Sequence, residues 1–245
     1  MGKNLNIYGI RPVLELIDSG KQIDTIYLQK DIQSEWTQKI KDESRGKKIN
    51  LKLVPKYKLN RLTKKNHQGV IAISSYVIFQ DFENLLALIF TKGEFPLFIL
   101  LDRVTDVRNF GSICRSAEAM GAHGVIIPEK GSAQINEIAI KASAGAISNI
   151  YICRENNIGN TILNAKKSGL TIIGCSEKTN KYIYDIKLDK PIILVIGSEK
   201  DGISKKILGL CDDVIKIPLY GKTKSLNAAV AAGIALFECV KQRTN

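Results

Sequence analysis

Three stretches of the sequence concentrate polar side chains and glycines in a way that could bind a ligand and act on it. Residues 101–115 contain three arginines, an amide and a glycine, residues 196–204 are rich in glycine and charge, and residues 217–227 combine lysines with hydroxyl and amide groups. The first two stretches follow apolar, strand-like runs and lead into helices. In open parallel α/β sheets, ligands bind beyond the carboxyl ends of the strands. We therefore expect the chemistry of this protein to be located in these loops.

The third stretch predicts the start of a long helix. Ser225 stands where an N-cap side chain would bind the free amides of the first turn, and residues 226–243 follow as the helix. Its first three turns are almost entirely alanine and glycine, so another backbone or a flat ligand could approach closely. Tight packing on a sheet is the simpler explanation of these small residues. A helix N-terminus beside Tyr220, Lys222, Lys224 and Asn227 is also suited to a ligand.

The two common nucleotide-binding patterns are absent. A dinucleotide fingerprint needs Gly-x-Gly-x-x-Gly after a strand, and a phosphate loop needs Gly-x-x-x-x-Gly-Lys-Ser/Thr. Gly197 and Gly202 have the spacing of a phosphate loop, but Ile203 and Ser204 follow them. The pattern does not support a mononucleotide-phosphate site.

The charge of the chain favours a polyanionic partner. Its 245 residues include 36 Lys+Arg and 24 Asp+Glu, a formal net charge of +12, which indicates nucleic acid more strongly than a membrane surface. No apolar run is long enough to cross a bilayer, and the first residues lack the apolar core of a signal peptide. We therefore expect a cytoplasmic protein.

Cysteine and histidine usage argues against a metal or disulfide framework. The five cysteines are widely spaced and never form Cys-x-x-Cys, and the two histidines are His67 and His123. Neither a zinc site nor a histidine-rich metal site is predicted.

The alternation of apolar runs predicts an α/β protein with two domains. Residues 1–76 read as a small α/β module, residues 77–95 as a linker with a helix at 81–90, and residues 96–245 as a larger domain. The strands of the larger domain are nearly continuous apolar runs, which is typical of a parallel sheet covered by helices on both faces. They are expected at 97–101, 124–127, 150–153, 170–173, 192–196 and 214–217.

The small module carries a basic segment. Five basic residues and no acidic one lie between positions 56 and 65: Lys56, Lys58, Arg61, Lys64 and Lys65. Such a density could bind the phosphates of a nucleic acid, although a solvated lysine face has the same composition. The adjoining loop contains His67, which we expect to contact RNA or backbone, and Gln68, which could make directed hydrogen bonds to RNA.

Taken in order, a series of residues from the three stretches carries a family resemblance. They are Asn109, Gly111 and Arg115, then Gly197, Ser198, Glu199 and Gly202, then Ile217, Pro218, Ser225, Leu226 and Asn227. This series resembles the three motifs of the SpoU branch of the SPOUT superfamily, the S-adenosylmethionine-dependent RNA ribose 2′-O-methyltransferases. Residues 8–10 and 67–70 are similar to the substrate-binding module of the bacterial 23S rRNA guanosine 2′-O-methyltransferases. The chain departs from many relatives at Val107-Arg108 and at Ala229.

The resemblance implies a fold and a cofactor. The expected catalytic domain is a SPOUT α/β domain with a parallel sheet, whose C-terminal segment forms a deep trefoil knot around S-adenosylmethionine. The expected cofactor-binding positions are Gly197, Ile217, Pro218, Gly221 and Leu226. The resemblance also implies a homodimer through the C-terminal helix, where Val230, Ile234, Phe237 and Val240 supply apolar surface.

The resemblance further implies catalytic positions at Asn109, Arg115, Glu199, Ser225 and Asn227, without a metal. Arg115 is the residue that the family assigns to the 2′-hydroxyl, sometimes as general base. A guanidinium has a pKa above ~12 and no acceptor, so we expect Arg115 to hold the adjacent phosphate or to stabilise the developing alkoxide. Asn109 and Glu199 would position Arg115 and the ribose. Arg108, on the same stretch, would contact RNA.

Two alternatives differ in function. A tRNA ribose 2′-O-methyltransferase of the same branch has the same chemistry and another target. A non-catalytic RNA-binding or ribosome-assembly protein could share the fold, but it would not need Arg115, Glu199 and Asn227, which are all present. The resemblance of residues 8–10 and 67–70 to the module of the 23S rRNA enzymes favours a guanosine ribose in 23S rRNA over a tRNA target.

Overall fold

The chain divides into two compact units, residues 1–78 and 79–245. A computed structural model describes residues 6–19, 23–47, 49–74, 77 and 79–244. Within these ranges, no helix is both long enough and apolar enough to cross a membrane.

The N-terminal unit is a small sheet with helices on both faces. Its elements are β1 (Asn6–Tyr8), α1 (Ile10–Asp18), β2 (Ile23–Gln29), α2 (Glu35–Gly46), β3 (Leu51–Val54), α3 (Lys56–Leu62) and β4 (Val70–Ser74). The strands lie in the order β1-β4-β2-β3. The β2–β3 pair is parallel, and β4 runs antiparallel to both β1 and β2.

Successive side chains of β2 point to opposite faces of the sheet, so the core of this unit has a part on each face. Ile26 and Leu28 pack with Val13 and Ile17 of α1 and with Ile40 of α2. On the other face, the intervening Tyr27 packs with Leu59 of α3 and with Val54 and Ile71. This period of two places α1 and α2 on one side of the sheet and the basic helix α3 on the other.

The C-terminal unit is a parallel α/β sheet, as predicted. Its elements begin with β5 (Phe79–Gln80), α4 (Phe82–Thr91), β6 (Leu97–Asp102), α5 (Val107–Ala119), β7 (Gly124–Pro128), α6 (Glu137–Ala142), a 3₁₀ helix (Ala146–Ser148) and β8 (Tyr151–Glu155). They continue with α7 (Ile158–Lys167), β9 (Thr171–Cys175), a second 3₁₀ helix (Ile183–Asp185), β10 (Ile192–Gly197), α8 (Lys205–Leu208), β11 (Asp213–Ile215) and α9 (Ala228–Thr244). The strand order is β11-β9-β10-β6-β7-β8-β5, and all its pairs are parallel.

The segment predicted as a linker belongs to the core of this unit. Helix α4 begins after Asp81, whose carboxylate accepts from the amide of Asn84. Its buried side chains Phe82, Leu85, Leu86 and Ile89 join the main apolar cluster around Phe98 and Ile193. The ring of Phe82 meets that of Phe98 edge-on at 5.2 Å. Residues 79–95 therefore stabilise the larger unit.

The carboxyl ends of four strands lie side by side. Gly197 of β10 pairs with Asp102 of β6, and Ile196 pairs with Cys175 of β9, which pairs in turn with Ile215 of β11. Loops that are far apart in the sequence therefore leave the sheet at one edge.

The start of the last helix differs from the prediction. Strand β11 ends at Ile215, and α9 begins at Ala228. Asn227, not Ser225, caps the helix, because its Oδ1 accepts from the amides of Ala229 at 2.9 Å and Val230 at 3.3 Å. Both residue types are good caps, and the sequence offered both within three positions.

The small residues of α9 allow close packing on another helix as well as on the sheet. Ala228, Ala232 and Ala235 are buried, and α9 packs against α5 and β10. A Cβ at Gly233 would lie 3.6 Å from Oγ of Ser116 on α5.

Candidate active site

A pocket of about 600 Å³ lies at the shared carboxyl edge of β9, β10 and β11. Among the predicted site residues, it is lined by Gly197, Glu199, Ile217, Ser225 and Leu226. The structure thus brings the second and third polar stretches together. Pro218 and Gly221, which we predicted as cofactor contacts, do not line the pocket, and Gly221 is exposed.

Gly197 permits the closest backbone approach in the pocket wall. The chain leaves β10, turns, and returns so that Ser198 and Gly202 exchange backbone hydrogen bonds of 3.2 and 2.9 Å. A Cβ on Gly197 would lie 2.1 Å from the carbonyl carbon of Gly202 and 2.2 Å from the nitrogen of Ile203. Only a residue without a side chain fits here, which makes residues 197–202 a tight loop open to a ligand.

Arg103 fixes this loop from the neighbouring strand end. Its guanidinium donates to the carbonyl oxygen of Gly202 at 3.1 Å and forms an ion pair with Asp201 at 3.7 Å. Asp102, just before it, accepts from the amide of Ser204 at 2.6 Å. Arg103 has a φ of 59°, unusual for a residue with a side chain. Sequence reasoning did not assign Arg103 to the site, because its partners lie about a hundred residues further along the chain.

Asn109, Glu199 and Asn227 form a hydrogen-bonded series at the site. Asn109 Nδ2 donates to Oε1 of Glu199, and Nδ2 of Asn227 donates to Oδ1 of Asn109 at 3.0 Å. Because Asn227 Oδ1 also caps α9, the same residue links the last helix to the side chains of the first two stretches. Asp106 fixes the backbone of Asn109, because its Oδ1 accepts from the backbone amide of Asn109 at 2.8 Å. These three predicted residues therefore come together.

Arg115 is placed differently from the expectation. It lies on the exposed side of α5, and within the described part of the chain its guanidinium makes no hydrogen bond or ion pair. Asn109 and Glu199 hold each other and do not hold Arg115. Arg108 precedes it by seven residues, so the two arginines share one face of α5. Two exposed cations on one helix face can bind neighbouring phosphates.

Gly111, a residue of the first motif, has a packing role. A Cβ there would lie 2.4 Å from the carbonyl oxygen of Ala139 and 2.7 Å from the Cβ of Ala142. The glycine lets α5 lie directly on α6, which sets the position of Asn109 at the start of α5.

The pocket combines an apolar wall with a charged rim. Ile196, Ile215, Leu219 and Ala231 provide the wall, and the charged side chains are Glu177, Lys178, Glu199, Lys200, Asp201 and Lys216. Burial, with smaller contributions from Cys239 and Cys211, raises the pKa of the Cys175 thiol, which therefore adds neutral surface. The donor set fits a ligand that has a flat apolar part and charged groups at its ends. Within the described ranges, no group of His, Cys, Asp and Glu side chains is arranged to hold a metal ion.

A second concave surface lies in the N-terminal unit. This basic groove has a volume of about 800 Å³ and is lined by Gln29, Ile32, Lys56, Asn60, Thr63, Lys64, Lys65, Asn66, His67, Gln68 and Gly69. The ammonium of Lys65 lies 5.2 Å from the ring centroid of Tyr8, and that of Lys58 lies 5.9 Å from the ring centroid of Tyr27. A hydrogen bond that the Lys65 ammonium donates to the Tyr8 side chain raises the pKa of Lys65, which keeps this lysine charged.

His67 and Gln68 hold the groove together. His67 is buried, accepts from the amide of Gly69 at 3.0 Å and contacts Asn60 Oδ1 at 2.8 Å. Of the two expected roles of His67, the structure thus shows the backbone contact. Gln68 Oε1 accepts from the amide of Ile10 at 3.0 Å, and Gly9 donates to the carbonyl of Val70 at 3.2 Å. The two signature stretches of the module therefore bind each other.

Comparison with protein families gives two matches that together span most of the chain. The SpoU rRNA Methylase family matches residues 96–237. The family described as RNA 2′-O ribose methyltransferase substrate binding matches residues 6–76.

Individual relatives agree with these matches. The chain is 34% identical over 241 residues to a TrmH family tRNA/rRNA methyltransferase of Staphylococcus haemolyticus, covering 98% of this chain and 97% of the relative. It is 31% identical over 237 residues to YacO of Bacillus subtilis, assigned to the same family, covering 97% and 95%. Among solved structures, the SpoU methyltransferase AviRb from Streptomyces viridochromogenes in complex with AdoMet matches with a TM-score of 0.63 at 26% identity, covering 98% of this chain and 90% of that chain.

Proposed function

We propose a substrate and a catalytic arrangement for this chain, which belongs to the SpoU family of S-adenosylmethionine-dependent RNA methyltransferases. It methylates the ribose 2′-hydroxyl of a guanosine in 23S rRNA. One observation carries the proposal: a single pocket is lined by Gly197, Ile217, Leu226 and Glu199. Glu199 is also hydrogen-bonded to Asn109. The two chemical requirements, a cofactor site and polar groups for a ribose, are thereby met at one sheet edge.

The pocket residues suit the cofactor. The tight turn at Gly197–Gly202 leaves its backbone accessible, Leu219, Ile196 and Ile215 supply apolar surface, and the acidic and basic rim suits a ligand with both charges. When bound, S-adenosylmethionine supplies an electrophilic methyl group on a sulfonium. The chain must then place the ribose oxygen in line with that methyl and accept the hydroxyl proton.

The side chains divide these tasks. Asn109 and Asn227 can orient the ribose by hydrogen bonding, and each is held by the other. Glu199 provides an acceptor group at the pocket, which a guanidinium cannot. Arg115 and Arg108 extend from α5 and bind the phosphates next to the target, with Arg115 stabilising the charge that develops on the ribose oxygen. Ser225 shapes the pocket wall.

The C-terminal helix is the proposed dimer interface. Val230, Ile234 and Phe237 are exposed at 50%, 37% and 56% and repeat at helical spacing, while Val240 is partly buried. A stripe of this kind on a helix whose other face is packed is suited to a second copy of the chain. Light scattering should give the mass of a dimer, and Phe237→Lys should give a monomer. The proposal also retains the trefoil knot of the C-terminal segment and a cytoplasmic location.

The basic groove is the proposed contact with the wider RNA. Lys64 and Lys65 of the groove would bind phosphates together with Lys58 and Arg61, which are exposed on the adjoining helix α3, and Gln68, which is exposed, would face the RNA from the groove. The match of residues 6–76 to a substrate-binding family supports this division of labour.

A tRNA target is the second candidate, because the Staphylococcus haemolyticus relative is named for both tRNA and rRNA. Purified protein and methyl-labelled S-adenosylmethionine should be incubated with 23S rRNA, 16S rRNA or tRNA in three separate reactions. The 2′-O-methyl positions in each RNA should then be mapped. Labelling of one 23S guanosine, absent in Arg115→Ala, supports the proposal. Labelling of tRNA alone overturns the substrate assignment and leaves the chemistry intact.

A further inference from the structure

A cluster of tyrosines lies next to the cofactor pocket and has no assigned role. The rings of Tyr182 and Tyr184 are stacked, with centroids 5.3 Å apart and planes 14° from parallel. The ammonium of Lys216 lies 4.7 Å from the ring centroid of Tyr182. Two aromatic rings and a cation thus form a continuous surface, here called the tyrosine platform.

The backbone beneath the platform is fixed. Tyr182 donates its amide to Oδ2 of Asp185 at 2.8 Å, which closes the short 3₁₀ helix. Ile183 donates to the carbonyl of Lys216 at 3.0 Å, and its side chain is buried. Lys216 donates to the carbonyl of Lys181 at 2.9 Å. The rings therefore project from an anchored segment, which reduces the entropy lost when a ligand stacks on them.

The platform is open to solvent. Tyr184 is 54% exposed, and Tyr220, on the loop that follows β11, is 94% exposed. Desolvation, with the phenols of Tyr220 and Tyr182, raises the pKa of Tyr184. Leu219, beside Tyr220 in the chain, is also exposed. An exposed aromatic group of this size, fixed in place, is typical of a binding surface.

Position and charge indicate the occupant. Lys216 and Leu219 line the cofactor pocket, so the platform is continuous with the site of methyl transfer. The loop 216–225 carries Lys216, Lys222 and Lys224 and no acidic residue. A flat aromatic surface beside cations binds single-stranded nucleic acid, because bases stack on the rings while phosphates meet the cations. RNA is already the substrate of this family.

We propose that the tyrosine platform stacks an unpaired base of the RNA substrate next to the methylated nucleotide. Tyr184 provides the open ring, Tyr182 supports it from the other side of the stack, and Lys216 with Lys222 or Lys224 binds the adjacent phosphate. The platform thereby selects targets whose neighbouring base is unstacked, as in a loop or bulge. This inference rests on the RNA methyltransferase activity of the chain and does not depend on which RNA is methylated.

The test uses the full chain and a single-stranded oligoribonucleotide of about ten nucleotides that contains 4-thiouridine. Irradiation should crosslink the probe to the tryptic peptide 182–187 of the wild-type protein. Tyr184→Ala should abolish this crosslink and weaken methylation of the natural RNA at limiting RNA concentration by about 5- to 100-fold, as expected for the loss of one stacked base. Tyr184→Phe keeps the ring and should behave as wild type.

Two matched variants make the result specific. Tyr151→Ala removes a tyrosine that is 45% exposed on β8, towards the opposite edge of the sheet, and should change nothing. Tyr184→Leu keeps apolar area without a π face and should bind as weakly as Tyr184→Ala. Wild-type behaviour of Tyr184→Leu, or an active enzyme that crosslinks only elsewhere, overturns the platform.

Failure of the platform can be told from failure of the proposed function. If the wild-type enzyme methylates RNA but Tyr184→Ala does so equally well, the platform is wrong and the function stands. If Tyr184→Ala instead changes the mass of the protein in light scattering at unchanged probe affinity, the surface is a contact between copies and the proposal is overturned. Cofactor affinity, measured by calorimetry, should be the same in all four variants.

Discussion

The pocket at the end of β10 and the basic groove of the N-terminal unit have similar volumes, about 600 and 800 Å³. They differ in the groups that form them. The pocket depends on backbone that approaches backbone at Gly197, and on side chains that bind each other in fixed pairs. The groove depends on several exposed lysines, supported by a small buried set around His67. We infer that single substitutions should disable the pocket, whereas the groove should weaken in steps.

The largest effect is expected for the chemistry alone. Arg115→Ala should reduce methylation by about 100- to 1,000-fold, the range for removing one charge-stabilising donor, because Arg115 lies outside the pocket and serves the reacting ribose. S-adenosylmethionine affinity, measured by calorimetry, should stay within a few-fold of wild type. Arg115→Lys should recover little, since a point charge does not reproduce a planar fork. An Arg115→Ala enzyme with normal activity would contradict the assignment.

Gly197→Ala tests the claim that the pocket is built from backbone. The added methyl would overlap the Gly202 carbonyl carbon at 2.1 Å, so the loop must move. Cofactor affinity should fall by about 100-fold, and Tm by about 2–10 °C, from the cost of overpacking a tight site. Gly209→Ala is the control in the same unit, because a Cβ there lies no nearer than 3.5 Å to its closest neighbour. Equal behaviour of the two variants would refute the comparison.

Replacing Lys58 and Arg61 of α3 and Lys64 and Lys65 of the groove by Gln tests whether RNA binding is distributed over this basic surface. RNA affinity should fall about 10- to 100-fold near 0.15 M salt, and the slope of log affinity against log salt should fall by up to about 3.6, from four contacts at about 0.7–0.9 each. Cofactor affinity should not change. The four single variants should each give a fraction of this loss. An unchanged slope would show that Arg103, Arg108 and Arg115 bind the RNA phosphates instead, or that the groove is merely a solvated lysine face.

Arg103→Met sharpens the comparison within the C-terminal unit. This change removes the hydrogen bond to Gly202 and the ion pair to Asp201 while keeping much of the side-chain length. Cofactor affinity should fall by about 3- to 10-fold, the effect of one charge-assisted hydrogen bond at a partly exposed site. The KM for S-adenosylmethionine should rise and kcat should change little. A matched loss in kcat with an unchanged KM would mean that Arg103 acts on RNA.

The smallest effect is expected for the pH dependence of the free energy of unfolding, through His67, which supports the groove. Burial, with the nearby charge of Lys56, lowers the pKa of His67 below its ordinary 6.5, so the folded unit keeps this histidine neutral where the unfolded chain takes up a proton. The free energy of unfolding should therefore decrease as pH falls below about 6.5 and level off once folded His67 is protonated. Fluorescence of Trp36, the one tryptophan, reports this unit. His67→Gln should remove the pH dependence, and its persistence would contradict this account.

Much of this fold follows from local pattern. Nearly continuous apolar runs predicted the parallel strands, and the order of the motif residues indicated the family. The strand order, which brings Cys175 beside Ile196 and Ile215, has no local signal, so the sequence did not show that residues 175–178 line the pocket. Asn227, which caps α9 in place of Ser225, also donates to Asn109, 118 residues away, and no local pattern shows that contact. Arg103 was missed for the same reason.

Arg243 has a consequence for how the protein is made. Its guanidinium donates to the carbonyls of Phe95, Pro96 and Lys190, and it reaches the first of these across 148 residues of chain. A ribosome synthesises these carbonyls long before it adds the arginine that binds them. Until then the carbonyls of Phe95 and Lys190 lack this donor, the carbonyl of Pro96 is bound by the amide of Ile192, and the last turn of α9 is missing. A nascent chain that stops shortly before residue 243 thus carries every motif named above but lacks the side chain that ties the last helix to the segments preceding β6 and β10.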